Sequence, residues 1–115
     1  MNGHIFLLVT LEKSNMPKQH QYEDKFLSAD LFEWKSQNRH TRHGKPGQEM
    51  QNHERLGIPV HLFVRKVGKI QQRAAPFVYC GDVDFVDWEG DKPITIRWRL
   101  QRQLSPELLE MFGVG

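Results

Sequence analysis

From Pro93 to Leu100 the chain alternates without a break: Ile94, Ile96, Trp98 and Leu100 fall on one side, Thr95, Arg97 and Arg99 on the other. A period of two with this composition belongs to a strand that buries one face and wets the other. Four more stretches have strand character. Ile5 to Leu11 is short, β-branched and aromatic, which suits a buried strand. Leu31 to Lys35 is a second, and Val60 to Arg65, introduced by Gly57 and Pro59 and closed near Gly68, is a third. Phe77 to Cys80 is a fourth, which Val83 to Trp88 continues past a bulge or turn at Gly81. The chain ends differently. Ser105, Pro106 and Glu107 read as an N-cap, a first-turn proline and a first-turn acid, Leu108, Leu109, Met111 and Phe112 as a core face, and Gly113 as the stop. The pattern predicts a mainly β fold: a small, partly open barrel or strongly bent sheet of the pseudobarrel kind, with a short C-terminal helix.

The size of the chain, 115 residues, fits one domain over 1–115 with a single core. One cysteine, Cys80, excludes an internal disulfide framework and a multi-thiolate zinc site, and it fits a reducing cytoplasm. The apolar run at Ile5 to Leu11 is too short for a membrane span and lacks the flanks of a signal peptide, so a soluble protein with no membrane partner is expected. The net charge of +2 is mild. Its distribution is not: residues 35–45 carry four cations and two histidines, whereas 82–91 carry five acids and no cation.

The basic block is continuous with a strand. Phe32-Glu33-Trp34-Lys35 runs into Ser36-Gln37-Asn38-Arg39, then His40, Thr41, Arg42, His43 and Lys45, with no acid from Lys35 to Gln48. A row of donors of this density suits phosphates and base edges. Trp34 and Tyr79 offer faces for an unstacked base, Ser36, Gln37 and Asn38 can meet base edges or a sugar, and Lys35, Arg39, Arg42 and Lys45 can pair with phosphates. Against this, Trp34 beside Phe32 on an alternating strand is more often a core aromatic, and the four cations suit plain surface solvation as well as phosphate binding. Arg65 shares one side of its strand with His61 and becomes a phosphate or base contact where that side lines a barrel mouth. Residues 36–57 are long for a plain connection, so they form either a functional loop or a segment with a short helix around Gln48 to Leu56.

Catalytic patterns are weaker. Asp82, Asp84, Asp87, Glu89 and Asp91 before Lys92 invite comparison with magnesium nucleases, but the spacing from acid to lysine is wrong, and alternation splits the acids between two faces. His40 and His43 would need a helix to share a metal, and Gly44 and Pro46 favour a loop there. His53 reads as a hydrogen-bonded structural histidine and Cys80 as a buried, inert thiol. No nucleophile elbow and no phosphate-binding glycine loop is present, so neither catalytic residue, metal nor cofactor is expected.

Taken in order, Phe6 to Ser14, Tyr22-x-Asp24, Phe32-x-Trp34-x-Ser36-Gln37, Gly47, His53, Gly57, Leu62 to Arg65, Pro76-Phe77-x-Tyr79-x-Gly81 and Pro93-Ile94-x-Ile96-x-Trp98-x-Leu100 resemble a domain of unknown function. That domain occurs at the C-termini of bacterial restriction-type DEAD/H-box helicases and in related defence proteins. The resemblance implies DNA as the partner, a restriction or phage-defence setting, and a helicase or nuclease acting beside this chain or as its parent; motor activity does not carry over. The expectation is a non-enzymatic DNA-binding module, monomeric or weakly dimeric, with recognition of a modified or extruded base as its finer form. The alternatives are a module that docks a helicase or nuclease through a sheet edge or the acidic face, and a divergent magnesium nuclease using Asp82 or Asp84.

Overall fold

The alternation from Thr95 to Leu100 has its counterpart at the centre of the fold. In the computed structural model, which describes residues 3–12, 24–36 and 39–114, Ile96, Trp98 and Leu100 point inward and are buried. The strands are β1 (Ile5–Glu12), β2 (Lys25–Ser28), β3 (Leu31–Lys35), β4 (Val60–Val67), β5 (Lys69–Ile70), β6 (Arg73–Ala74), β7 (Val78–Glu89) and β8 (Thr95–Leu100). Six of them form one sheet in the order β1-β4-β7-β8-β3-β2, bent into an open half-barrel, while β5 and β6 make a separate hairpin. Every pairing in the large sheet is antiparallel except that of β1 with β4.

Inside the bend, Leu7, Val9 and Leu11 of β1 meet Val60, Leu62 and Val64 of β4, Val83 of β7, Ile96, Trp98 and Leu100 of β8 and Phe32 of β3. Trp98 and Phe32 have no exposed surface; truncating either to Ala would cost about 3–5 kcal/mol. The C-terminal helix α3 (Pro106–Phe112) starts where Ser105 Oγ accepts the Leu108 N–H at 3.3 Å and stops at Gly113 in the left-handed region. Phe112 stacks on Phe26 of β2 at 5.5 Å, so the helix covers one opening of the bend. Met111, expected in the core, is instead about half exposed.

Two short helices, α1 (Lys45–Gln51) and α2 (His53–Leu56), occupy much of the 36–57 segment, which takes the helical alternative. Pro46 opens α1 from its first turn, where a missing N–H costs nothing. Beyond Val83, β7 runs past the end of β4, and α2 fills the vacated edge: His53 Nε2 accepts the Phe85 N–H at 3.2 Å, and His53 Nδ1 bonds to the Ile58 carbonyl at 3.0 Å. Among the described residues, no helix is long and apolar enough to cross a membrane.

Candidate nucleic-acid interface

The strand β3 delivers the basic segment to one end of the sheet. Trp34 faces inward opposite Ile96 and packs against the core, so the core reading of this side chain is the one the fold adopts. Lys35 is drawn over β8, its Nζ 3.0 Å from Thr95 Oγ1, while its N–H donates to Asp24 Oδ1 at 2.8 Å. Ser36 turns into the fold: its hydroxyl accepts the Ile94 N–H at 2.9 Å and its own N–H reaches the Ile94 carbonyl. Ser36 is thereby buried as a clamp between two segments. Gln37 and Asn38 lie outside the described residues.

Past them, the backbone lies on the turn between β7 and β8. The Arg42 N–H donates to Asp91 Oδ1 at 2.7 Å, its guanidinium sits 3.4 Å from the same carboxylate, and the Lys92 N–H donates to the His40 carbonyl at 2.9 Å. The Arg42 N–H, then its guanidinium, hold the Asp91 carboxyl below the usual range. On the other side, Gln48 Nε2 donates to the Arg42 carbonyl at 2.6 Å. Gly47 packs so tightly that a Cβ there would lie 2.6 Å from the Thr41 carbonyl oxygen. Residues 39–45 thus form a pinned ledge. Arg39 and Lys45 are exposed on it, and neither has an ion pair or hydrogen bond among the described residues.

The acidic block divides among separate partners. Arg97 reaches Asp87 at 2.6 Å, Glu33 at 3.1 Å and Glu89 at 3.2 Å. Asp84 accepts from Gln101 at 3.3 Å, Asp91 holds Arg42, and Asp82 belongs to a third group. His53, Glu54 and Asp84 come close enough to suggest a cation site. The chemistry of His53 argues against it, since one ring nitrogen accepts the Phe85 N–H and the other carries the proton donated to Ile58. Cys80 is buried, and burial pushes its thiol up to about 11.

Arg65 and Tyr79 lie elsewhere, on the outer face of β1, β4 and β7. Register brings three rows together there: Phe6, His61 and Asp82; Leu8, Phe63 and Tyr79; Thr10 and Arg65, with Phe77 beyond. His61 Nδ1 is 2.7 Å from Asp82 Oδ1, and its Nε2 is 2.8 Å from His4 Nδ1. Tyr79 donates its hydroxyl to the same Asp82 oxygen at 2.6 Å. That bond raises the Tyr79 phenol and, with His61 adding to it, lowers the Asp82 carboxyl. Arg65 donates to Thr10 Oγ1 at 2.8 Å and to the Ala75 carbonyl at 3.0 Å, and its guanidinium lies over the Phe77 ring at 4.3 Å. The side shared by His61 and Arg65 is therefore the outside of the bend.

A family model describing a domain of unknown function, DUF3427, matches residues 1–112. The chain belongs to the DUF3427 family. No curated protein matches it.

Of the ten residues expected to contact nucleic acid, the eight that are described do not gather at one place in this DUF3427 domain. Lys35, Arg39, Arg42 and Lys45 surround the ledge, Trp34 and Ser36 support it from inside, and Arg65 and Tyr79 stand on the outer face. Tyr79 also borders a cleft of about 430 Å³ lined by Gly81, Asp82, Gln101, Arg102, Gln103 and Leu108 among others. Sequence reasoning put Phe63 on one side of its strand with His61 and Arg65 but passed over His4, Phe6 and Leu8 as members of the same surface. The signal available was Phe6 and Leu8 at every second position, which a continuous apolar run disguises as a strand buried on both faces.

Proposed function

We propose that this DUF3427 domain is a non-catalytic DNA-binding module of a restriction or phage-defence system, acting with a helicase or nuclease as partner or parent chain. The observation that carries the reading is the ledge: a pinned backbone presenting Arg39 and Lys45, with Lys35 and Arg42 on its flanks. Holding cations on an ordered backbone lowers the entropy lost when they meet phosphates. The acids give this reading indirect support. Asp87 and Glu89 are held on Arg97, Asp91 on Arg42 and Asp84 on the Gln101 amide, so these carboxylates already have partners within the fold, which weakens both the docking and the nuclease alternatives. The finer form, recognition of an extruded or modified base, finds room in the cleft beside Tyr79, where Gln101 and Gln103 bring amide donors and acceptors.

The test is anisotropy binding of duplex and single-stranded DNA, unmodified and with modified cytosines, across a salt series. The Arg39→Ala/Lys45→Ala variant should bind duplex more weakly and with a log–log salt slope smaller by about 2, near one unit per lost phosphate contact. Unchanged affinity and slope in that variant would remove the ledge as the contact. A preference for one modified duplex would support the finer form; equal binding of all duplexes would discard it.

A further inference from the structure

Phe6 and Leu8 are 59 % and 61 % exposed on the edge strand, and Tyr79, two strands away in the same surface, is 51 % exposed. Side chains of this size are ordinary singly, but here they are contiguous. Phe6 lies 5.1 Å from the His61 ring and 6.2 Å from Phe63, and Phe63 lies 5.0 Å from Tyr79. The polar atoms beneath are engaged. Asp82 fixes Tyr79 and His61, His61 meets His4 end to end, and Phe6 stacks against His61, so the rings are held together as one exposed cluster.

Charge decides what such a face suits. The partners of Arg65 are a hydroxyl, a carbonyl and a ring, so no carboxylate pairs with it, and the one carboxylate of the face, Asp82, is turned to Tyr79 and His61 in the row farthest from Arg65. Glu12, further along β1, lines a separate cleft with Lys25 and Lys66. On β8 the outward cations are spent: Arg97 on three carboxylates and Arg99 on Asp30. An aromatic face with one unspent guanidinium at its border complements a polyanion that carries rings. Spacing narrows this further. Successive rows are two strand residues apart, roughly 6.6 Å, which exceeds the roughly 3.4 Å rise of a duplex strand, so bases lying on successive rows must be splayed.

We propose that the outer face of β1, β4 and β7 is a second nucleic-acid site, a stacking platform for single-stranded DNA. One base lies on Phe6 and the next on the Phe63–Tyr79 row, and a phosphate pairs with Arg65. That the strand is DNA rests on the reading above; that it is single and stacked rests on this face alone.

Binding is measured to an oligothymidylate and to an abasic strand of equal length, with the wild-type domain and with Phe6→Leu, Phe6→Tyr, Arg65→Gln and Arg39→Ala/Lys45→Ala. The thymidylate should bind at least tenfold tighter than the abasic strand, a difference of the size one lost base stack makes. Phe6→Leu, which keeps the apolar surface and loses the ring, should remove most of that preference; Phe6→Tyr should restore it. Arg65→Gln should weaken both strands, and the ledge variant should leave the preference intact. Equal binding of the two strands, or a Phe6→Leu protein that behaves as wild type, overturns the platform and turns the apolar face toward a protein partner. Loss of duplex binding in the ledge variant with the thymidylate preference unchanged upholds both sites separately; an unchanged ledge variant discards the ledge and leaves the platform standing.

Discussion

Tyr79 and Asp82 sit three residues apart on one strand and yet share a face, with the phenol donating to the carboxylate at 2.6 Å. On a regular strand that spacing puts two side chains on opposite sides. The register shift between Leu62 and Phe63 resolves the conflict: Gly81 pairs with Leu62 and Tyr79 with Phe63, so Cys80 is the extra residue, and Gly81 takes φ +99 to let the chain through. Gly81→Ala should therefore destabilise by about 1–2 kcal/mol, although its Cβ would meet open space, because the strain is in the backbone. Urea denaturation checks the size, and an unaltered midpoint would contradict the bulge.

The same hydrogen bond is visible in titration. In a Tyr22→Phe background, the Tyr79 phenol should ionise above its ordinary value near 10, and Asp82→Asn should bring it down, followed by absorbance at alkaline pH. The sign for Asp82 runs the other way. A carboxyl lowered in the folded state contributes stability above its unfolded value of 3.8 and loses it as pH falls through the folded value. Wild-type stability should thus fall below pH 3.8 with a component that Asp82→Asn lacks.

Cys80, with its thiol pushed up to about 11, should react with a disulfide reagent at neutral pH only as fast as the domain opens. Reaction should become immediate in denaturant. Fast reaction of the folded protein would show an accessible thiolate.

His53→Ala should cost about 2–4 kcal/mol, since it leaves the Phe85 N–H without its acceptor and opens a cavity beside Trp98. Zinc should not raise the melting temperature of the wild-type domain through this residue. A zinc-dependent rise that His53→Ala abolishes would reinstate the cation site.

The β5–β6 turn places two glutamines, Gln71 and Gln72, at φ 52 and φ 68. Asn and Gly are the residues a turn of this kind prefers. Gln71→Asn/Gln72→Gly should stabilise by up to about 1 kcal/mol in the melting curve.

Much of the sheet was legible because burial on one side writes a period of two into the chain. Leu31–Lys35 matches its predicted span, β7 continues through Gly81 as expected, and α3 begins at its Ser105-Pro106 cap. The strand β2 and the β5–β6 hairpin were not, since four residues of Lys-Phe-Leu-Ser and two pairs of exposed residues are too short for any period to register. The site divides in the same way. Local sequence exposes the cations of 39–45, but not that Asp91 and His40 pin them to a turn fifty residues away in the chain. Nor does it expose the outer aromatic face, whose rows are assembled from three strands and one bulge.

The parallel pairing of β1 with β4 has a kinetic consequence. Its antiparallel neighbours can zip from nearby turns, but β1 must wait for the chain between Glu12 and Val60 to close, an entropic cost that only long-range contacts repay. The edge strand joins only once that loop has closed, as β3 joins β8 only once a longer one has, and Phe6 and Leu8 travel with it. A ligand laid across Phe6 and Phe63 would bridge that β1–β4 seam, so its affinity would carry the free energy of seating the edge strand.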